Sequence, residues 1–339
     1  MVGRPRKRDG KTRLDLVENP LVGSWHEAVS LRSELSADVN TRKLSLFLER
    51  VNLTPAELVS AAREDPDRLR DLLVRYAKEL QKEGRLNTYI AKTLDGVRAF
   101  LHHHRVGFDQ FPKLTIIAGE SLRDERTPTP EELRAILSAL SVRGKVIALL
   151  LAHSGLRPGV VGTYKAENGL KLRDLPDLEV GPDRVTIAKR PFLVRVPGRL
   201  SKTRREYVTF GSSDLAEALI QYLEQRQKGG ESLGPDSPVV TIAPRAKGNW
   251  LRAKRRFAGF VTTKSLTQDV ATAIRAAAPR GVRFRVYCLR AYCSTRLLSA
   301  ESEGRLTKDA REEFMGHDLG PSGRYTLSKR LGSETIEEL

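Results

Sequence analysis

Residues 314–327 read FMGHDLGPSGRYTL, a Gly-His pair followed by a breaker-rich run and then a tyrosine. His317 comes at the end of an amphipathic stretch, and Tyr325 stands eight residues later between Arg324 and Thr326. Gly320, Pro321, Ser322 and Gly323 lie between them, so no helix runs from the histidine to the tyrosine. A tyrosine in such a place is ordinarily surface decoration. Whether it is more depends on what the rest of the chain brings to it.

The chain has 339 residues, comfortable for two domains and long for one. Apolar residues make up 40%, enough for real cores, while 59 Lys+Arg against 42 Asp+Glu leave a net charge of +17. An excess this large, spread along the chain, implies a polyanionic partner, and nucleic acid fits best. A basic housekeeping protein such as a ribosomal one is the plainer alternative. No stretch approaches the ~20 apolar residues of a membrane span, and the N-terminus lacks the apolar core of a secretory signal. A cytoplasmic, nucleoid-associated protein with no membrane partner is expected. Cys288 and Cys293 are spaced for neither a disulfide nor a zinc site and read as small buried hydrophobes.

Residues 1–13, MVGRPRKRDGKTR, hold six basic residues and one acid and cannot build a core. They open a basic, flexible arm expected over 1–35, whose Arg4, Arg6, Lys7 and Arg8 are candidate DNA contacts. The pattern over 36–105 is helical, with Val39, Leu44, Leu46, Phe47 and Val51 near a 3.6-residue period. Thr54-Pro55 reads as a helix start, Gly84 as a stop and Asn87 as the cap of another helix. The result is a small helical domain, basic on its polar faces and a candidate DNA-binding domain. His102–His104 is read as a solvated helix end rather than a metal site, because three adjacent side chains point in different directions. Residues 106–128 carry no helical period and read as a linker. Thr129-Pro130-Glu131-Glu132 then opens a second, larger domain over 129–330, followed by a tail at 331–339. Strands are expected at RVTIAK, FLVRVP and YVTFG, among helices. The fold class expected is mainly α with a small antiparallel β-sheet.

Three further stretches of the second domain matter. AHSGLRPGVV places Arg157 between two helical runs; VPGRLSKTRREYVTF places Lys202 in a basic turn between two strands; YCLRAYCSTRLL places Arg290 at the start of an amphipathic helix. Taken singly, these are a helix corner with a surface arginine, a phosphate-contacting hairpin and a core helix. In this order, ending in Gly-His and a tyrosine, they resemble the tyrosine recombinases, or phage-type integrases, and most of all the archaeal and archaeal-virus branch. The resemblance covers roughly 36–335, with its motifs confined to 150–330.

The resemblance implies a C-shaped, two-domain DNA clamp and a site-specific recombinase that needs neither metal nor other cofactor. Tyr325 is then the nucleophile that attacks a DNA phosphodiester. Arg157 and Arg290 clamp the phosphate oxygens with forked hydrogen bonds, and His317 donates to the phosphate or takes the phenolic proton. Lys202 protonates the departing 5′-oxygen. Arg199, Arg204 and Arg205, on the same turn, are further DNA contacts. The partners implied are double-stranded DNA with specific recombination sites and three more copies of the chain, a tetramer on DNA from a monomer or dimer when free. The chain departs from the family pattern in three places: Tyr287 stands where a His or Lys is common, Val160 where an acid is common, three residues after Arg157, and the gap from His317 to Tyr325 is one residue shorter than the commonest pattern. Tyr287 can still donate to a phosphate but is a poor acid or base at neutral pH. Two rivals remain at this stage: a DNA-binding relative without activity, separable by a nicking assay, and a type IB topoisomerase, separable by its lack of a partner site.

Overall fold

The computed structural model describes residues 15–117, 126–182, 184–242, 259–279, 282 and 284–318. Tyr325, the basic arm residues Arg4, Arg6, Lys7 and Arg8, and the tail at 331–339 lie outside them. The chain divides into two compact units, Met1–Arg123 and Asp124–Leu339.

The first unit is helical. After a 3-10 turn at Asp15–Glu18 come α1 (Pro20–Ser30), α2 (Glu34–Val51), α3 (Pro55–Glu64), α4 (Pro66–Lys82) and α5 (Asn87–His103). The first of these corrects the expectation of a flexible arm over 1–35. Asn19 caps the Leu21 amide, Pro20 sits at the first helical position, and Val22 and Trp25 are buried. The Trp25 indole meets Phe100 edge-on at 5.4 Å, so α1 closes the core rather than trailing from it. On α2 the buried stripe is Ala37, Thr41, Leu44, Ser45, Phe47 and Leu48; Val39, Leu46 and Val51 are half-buried. Thr54 and Glu57 form a complete capping box on α3. Helix α5 starts one residue earlier than expected, with Leu86 as its cap, and the Asn87 side chain instead bonds Gln81 and the Thr115 carbonyl. The histidine run is structural: His104 bonds the Leu21 carbonyl at 3.0 Å and packs edge-on against Phe100. The expected linker also begins later than 106, because Val106, Phe108 and Phe111 are buried in this unit's core and Arg98 lies over the Phe111 ring.

The second unit holds the rest: α6 (Pro130–Ser138), α7 (Val142–Ala152), α8 (Pro158–Val161), α9 (Ser213–Lys228), α10 (Thr263–Ala277), α11 (Tyr287–Ser302) and α12 (Lys308–Phe314). Its strands are β1 (Leu178–Val180), β2 (Val185–Ile187), β3 (Phe192–Val196) and β4 (Tyr207–Gly211). They pair as two antiparallel hairpins, β1 with β2 and β3 with β4, so the expected small sheet is realised as two two-stranded ones. Strand β1, LEV, is too short to announce itself in sequence. The helix start expected at Thr129-Pro130 is that of α6, where Thr129 and Glu132 form a capping box. Helix α7 is apolar on every side from Val146 to Ala152 and is buried throughout, which places it at the centre of the unit with α9, α10 and α11 around it. A smaller cluster, Cys293, Leu297, Ala300, Leu306, Ala310, Phe314 and Met315, joins α11 to α12 and backs onto Leu193 and Phe210 of the β3–β4 hairpin. Both cysteines are free and buried, and burial pushes each thiol up to about 12. Among the described residues no helix is long and apolar enough to cross a membrane.

Candidate active site

The Gly-His pair is the end of a helix. Helix α12 stops at Met315, and Gly316 follows at φ +59°. The His317 amide donates to the Glu312 carbonyl at 3.0 Å and the Gly316 amide to the Glu313 carbonyl at 2.8 Å, the paired bonds of a Schellman turn. This turn folds His317 back over the last turn of its own helix. The position is reserved for glycine twice over, since a Cβ at Gly316 would lie 2.5 Å from Cζ of the buried Tyr207 ring.

Arg157 and Arg290 come to the same turn from opposite directions. Helix α7 ends at His153, and the chain turns through Gly155 at φ +62° before Arg157 caps the short α8. A Cβ on Gly155 would meet Met315 Sδ at 2.9 Å and Cys293 Sγ at 3.0 Å, so the SGLR loop sits directly on α11 and the α12 turn. Arg290, in the first turn of α11, is only 2% exposed. Its Nη1 donates to the Gly155 carbonyl and its Nη2 to the Met315 carbonyl at 2.5 Å, while Nη2 also faces His317 Nε2 at 3.4 Å. Arg157 Nη1 donates to the Gly316 carbonyl at 3.2 Å. One buried guanidinium thus ties together three segments that are up to 162 residues apart in sequence, from Gly155 to His317.

The electrostatics of this cluster are unbalanced. Burial pulls the Arg290 pKa downward, and the positive charge of Arg157 pulls it in the same direction. Among the described residues neither guanidinium is paired with a carboxylate; their partners are backbone carbonyls and one imidazole. Among the described residues the buried Arg290 and the half-buried Arg157 are held together without a paired carboxylate, a costly arrangement that an anion would relieve. Tyr207 lies against the same pair. Burial pushes its phenol up, and among the described residues its buried hydroxyl has no hydrogen-bond partner of good geometry although both arginines act on it electrostatically.

The remaining candidates take different positions. Tyr287 begins α11, one turn before Arg290, and is 54% exposed. Lys202 is exposed on the turn joining β3 and β4 and is not among the groups that touch Arg290. The shape of that turn is set by Ser201 Oγ, which bonds Thr203 Oγ1 at 2.9 Å, and by Arg204 in the left-handed conformation at φ +58°. Arg199 and Arg204 are exposed, and Arg205 faces Asp318 at 3.8 Å. Val160 is buried in the core of the unit, so no acid three residues after Arg157 can serve the cluster.

Two members of the cluster were missed in the sequence. Tyr207 reads there only as an alternating strand residue. Glu312 reads as one more acid on an amphipathic helix, yet its carboxylate bonds His317 Nδ1 at 2.5 Å. The Glu-to-His spacing of five across a helix end marked by glycine is the signal that could have found it.

No known family profile matches the chain, and no curated protein does. Solved structures do. A lambda integrase fragment, crystallised as a dimer bound to a COC′ core site, superposes with a TM-score of 0.51 at 15% identity, covering 90% of this chain and 93% of that one. The fold is that of a tyrosine recombinase. The XerH recombinase in a post-cleavage complex with palindromic difH gives a TM-score of 0.49 at 12% identity, over 85% of this chain and 73% of that one. XerA recombinase gives 0.39 at 15% identity, over 94% and 97%.

Proposed function

We propose that the chain is a site-specific DNA recombinase of the integrase type, within the archaeal and archaeal-virus branch that its sequence resembles most. The observation that carries this reading is the pair Arg157 and Arg290, held against the Gly-His turn by carbonyls and, among the described residues, left without a carboxylate. A phosphodiester supplies the missing negative charge, and the two guanidiniums would stabilise the further charge that builds on its oxygens during in-line attack. The +17 charge of the chain supports a polyanionic partner over a small anion.

In the proposed reaction the Tyr325 oxygen attacks the phosphorus and forms a 3′-phosphotyrosine bond. The bond from phosphorus to the 5′-oxygen breaks. The phenolic proton leaves to His317, and the 5′-oxygen takes a proton from Lys202. Tyr287, beside Arg290, contributes a phenolic donor to the phosphate. The phosphotyrosine retains the energy of the broken bond, so rejoining needs neither ATP nor a metal. Arg199, Arg204 and Arg205, with Arg4, Arg6, Lys7 and Arg8, hold the DNA backbone. Four copies acting on two specific sites would exchange strands through a Holliday junction, in the cytoplasm and on the nucleoid.

The test is capture of a nicked suicide substrate. Wild-type protein should become covalently attached to DNA, and peptide mapping should find the adduct on Tyr325. Tyr325→Phe should still bind DNA and capture none. An adduct on Tyr287 or Tyr207, or capture by Tyr325→Phe, overturns the assignment. No adduct with any DNA in the wild type leaves the chain a DNA-binding protein without this chemistry.

A further inference from the structure

The carboxylate that bonds His317 is held in place from its other side. Glu312 Oε1 pairs with Arg311 Nη1 at 2.7 Å, and Arg311 in turn pairs through Nε with Glu301 on α11. Glu312 Oε2 is left to His317 Nδ1 at 2.5 Å. Helix α11 also carries Arg290, which His317 Nε2 faces at 3.4 Å. The line from Glu301 through Arg311, Glu312 and His317 to Arg290 therefore begins and ends on one rigid helix.

From this geometry we infer that Glu312 is the positioning residue for His317: it fixes the ring in the Nδ1–H tautomer and presents a bare Nε2 to the phosphate-binding arginines. This rests on the function proposed above and refines it. An ionised carboxylate is an acceptor only, so the nitrogen bonded to it must carry the proton. In the neutral imidazole the other nitrogen, Nε2, then holds a lone pair. That excludes donation from neutral His317 to the phosphate and leaves it as the acceptor of the Tyr325 phenolic proton. When the proton arrives at Nε2 the ring becomes an imidazolium, and the Glu312 carboxylate offsets the new charge, the role an aspartate plays behind a catalytic histidine elsewhere.

The experiment reads tautomer and rate separately. Full-length protein labelled with 15N-histidine has six histidines, and His317→Ala identifies the resonance that belongs to His317. Wild type should show Nδ1 protonated and Nε2 bare. Glu312→Gln keeps an acceptor oxygen and should keep this tautomer with a moderate loss of capture rate. Glu312→Leu removes the acceptor; the Nε2–H tautomer should appear and capture should slow by about tenfold or more, in the range found when the group orienting a functional histidine is lost. DNA binding by both variants monitors the fold, and Glu312→Gln alone carries the test if Glu312→Leu fails to fold. An Nε2–H ring in the wild type overturns the inference, as does a Glu312→Leu variant with the wild-type tautomer or the wild-type rate. Failure of the wild type to form any Tyr325 adduct defeats the recombinase reading and is seen independently of the tautomer.

Discussion

Replacing Gly316 by alanine tests whether the Gly-His turn is the clamp that assembles the site. Two costs add. Alanine at φ +59° carries the left-handed penalty of about 1–2 kcal/mol. Its Cβ would also stand 2.5 Å from Cζ and 2.6 Å from Cε1 of Tyr207, a ring fixed in β4 and buried. Relieving such an overlap in a packed interior costs about 1–3 kcal/mol. The sum is roughly 2–5 kcal/mol. Gly304→Ala is the internal control: φ is +73° there and nothing lies within 4 Å, so only the backbone penalty applies. Native-state hydrogen exchange on α11 and α12 peptides, read by mass spectrometry, compares the two within one fold. The excess opening of Gly316→Ala over Gly304→Ala should lie between about fivefold and about 150-fold, the ratio for about 1–3 kcal/mol. Because the Met315 and Gly316 carbonyls hold Arg290 and Arg157, covalent capture should fall as well. Equal opening in the two variants would mean that the Tyr207 ring yields freely and that the turn does not set the geometry of the arginines.

Further outcomes follow from particular contacts. Lys202→Ala should cleave ordinary DNA poorly and recover on a substrate with a bridging 5′-sulfur, whose departure needs no proton; measured rates on the two substrates decide it, and equal loss for Arg204→Ala moves the role elsewhere. Removing residues 1–13 takes away six cations and should lower the log–log salt slope of DNA binding by up to about five units, measured by titration at several salt concentrations. Burial holds His153 below its ordinary value of 6.5, with Ser212 bonded to its Nδ1 at 2.7 Å. The unfolded chain therefore takes up that proton first, so the contribution of His153 is whole above about pH 6.5 and is lost as the pH falls below it. Urea midpoints between pH 7.5 and about 5 should fall less steeply for His153→Gln than for the wild type.

Local chemistry made much of this legible in the sequence. Thr129-Pro130 announces a helix start and Gly84 a helix end, because each depends on neighbours within a few residues. The order of SGLR, the basic hairpin, YCLR and Gly-His likewise pointed to one chemistry. The limits of the first unit were not legible: Trp25 and Phe111 belong to its core only because Phe100 and Arg98 meet them from a distant helix. Nor was the tautomer of His317. Sequence spacing proposes that Arg157, Arg290 and His317 act together, but a guanidinium's partners are chosen by whatever the folded chain brings within hydrogen-bonding reach. Here those are the carbonyls of Gly155, Met315 and Gly316, which no side-chain pattern encodes. Glu312 becomes a partner of His317 only once Gly316 turns the chain back on its helix, and Arg290 comes to demand a negative charge only once burial has removed the water that would screen it.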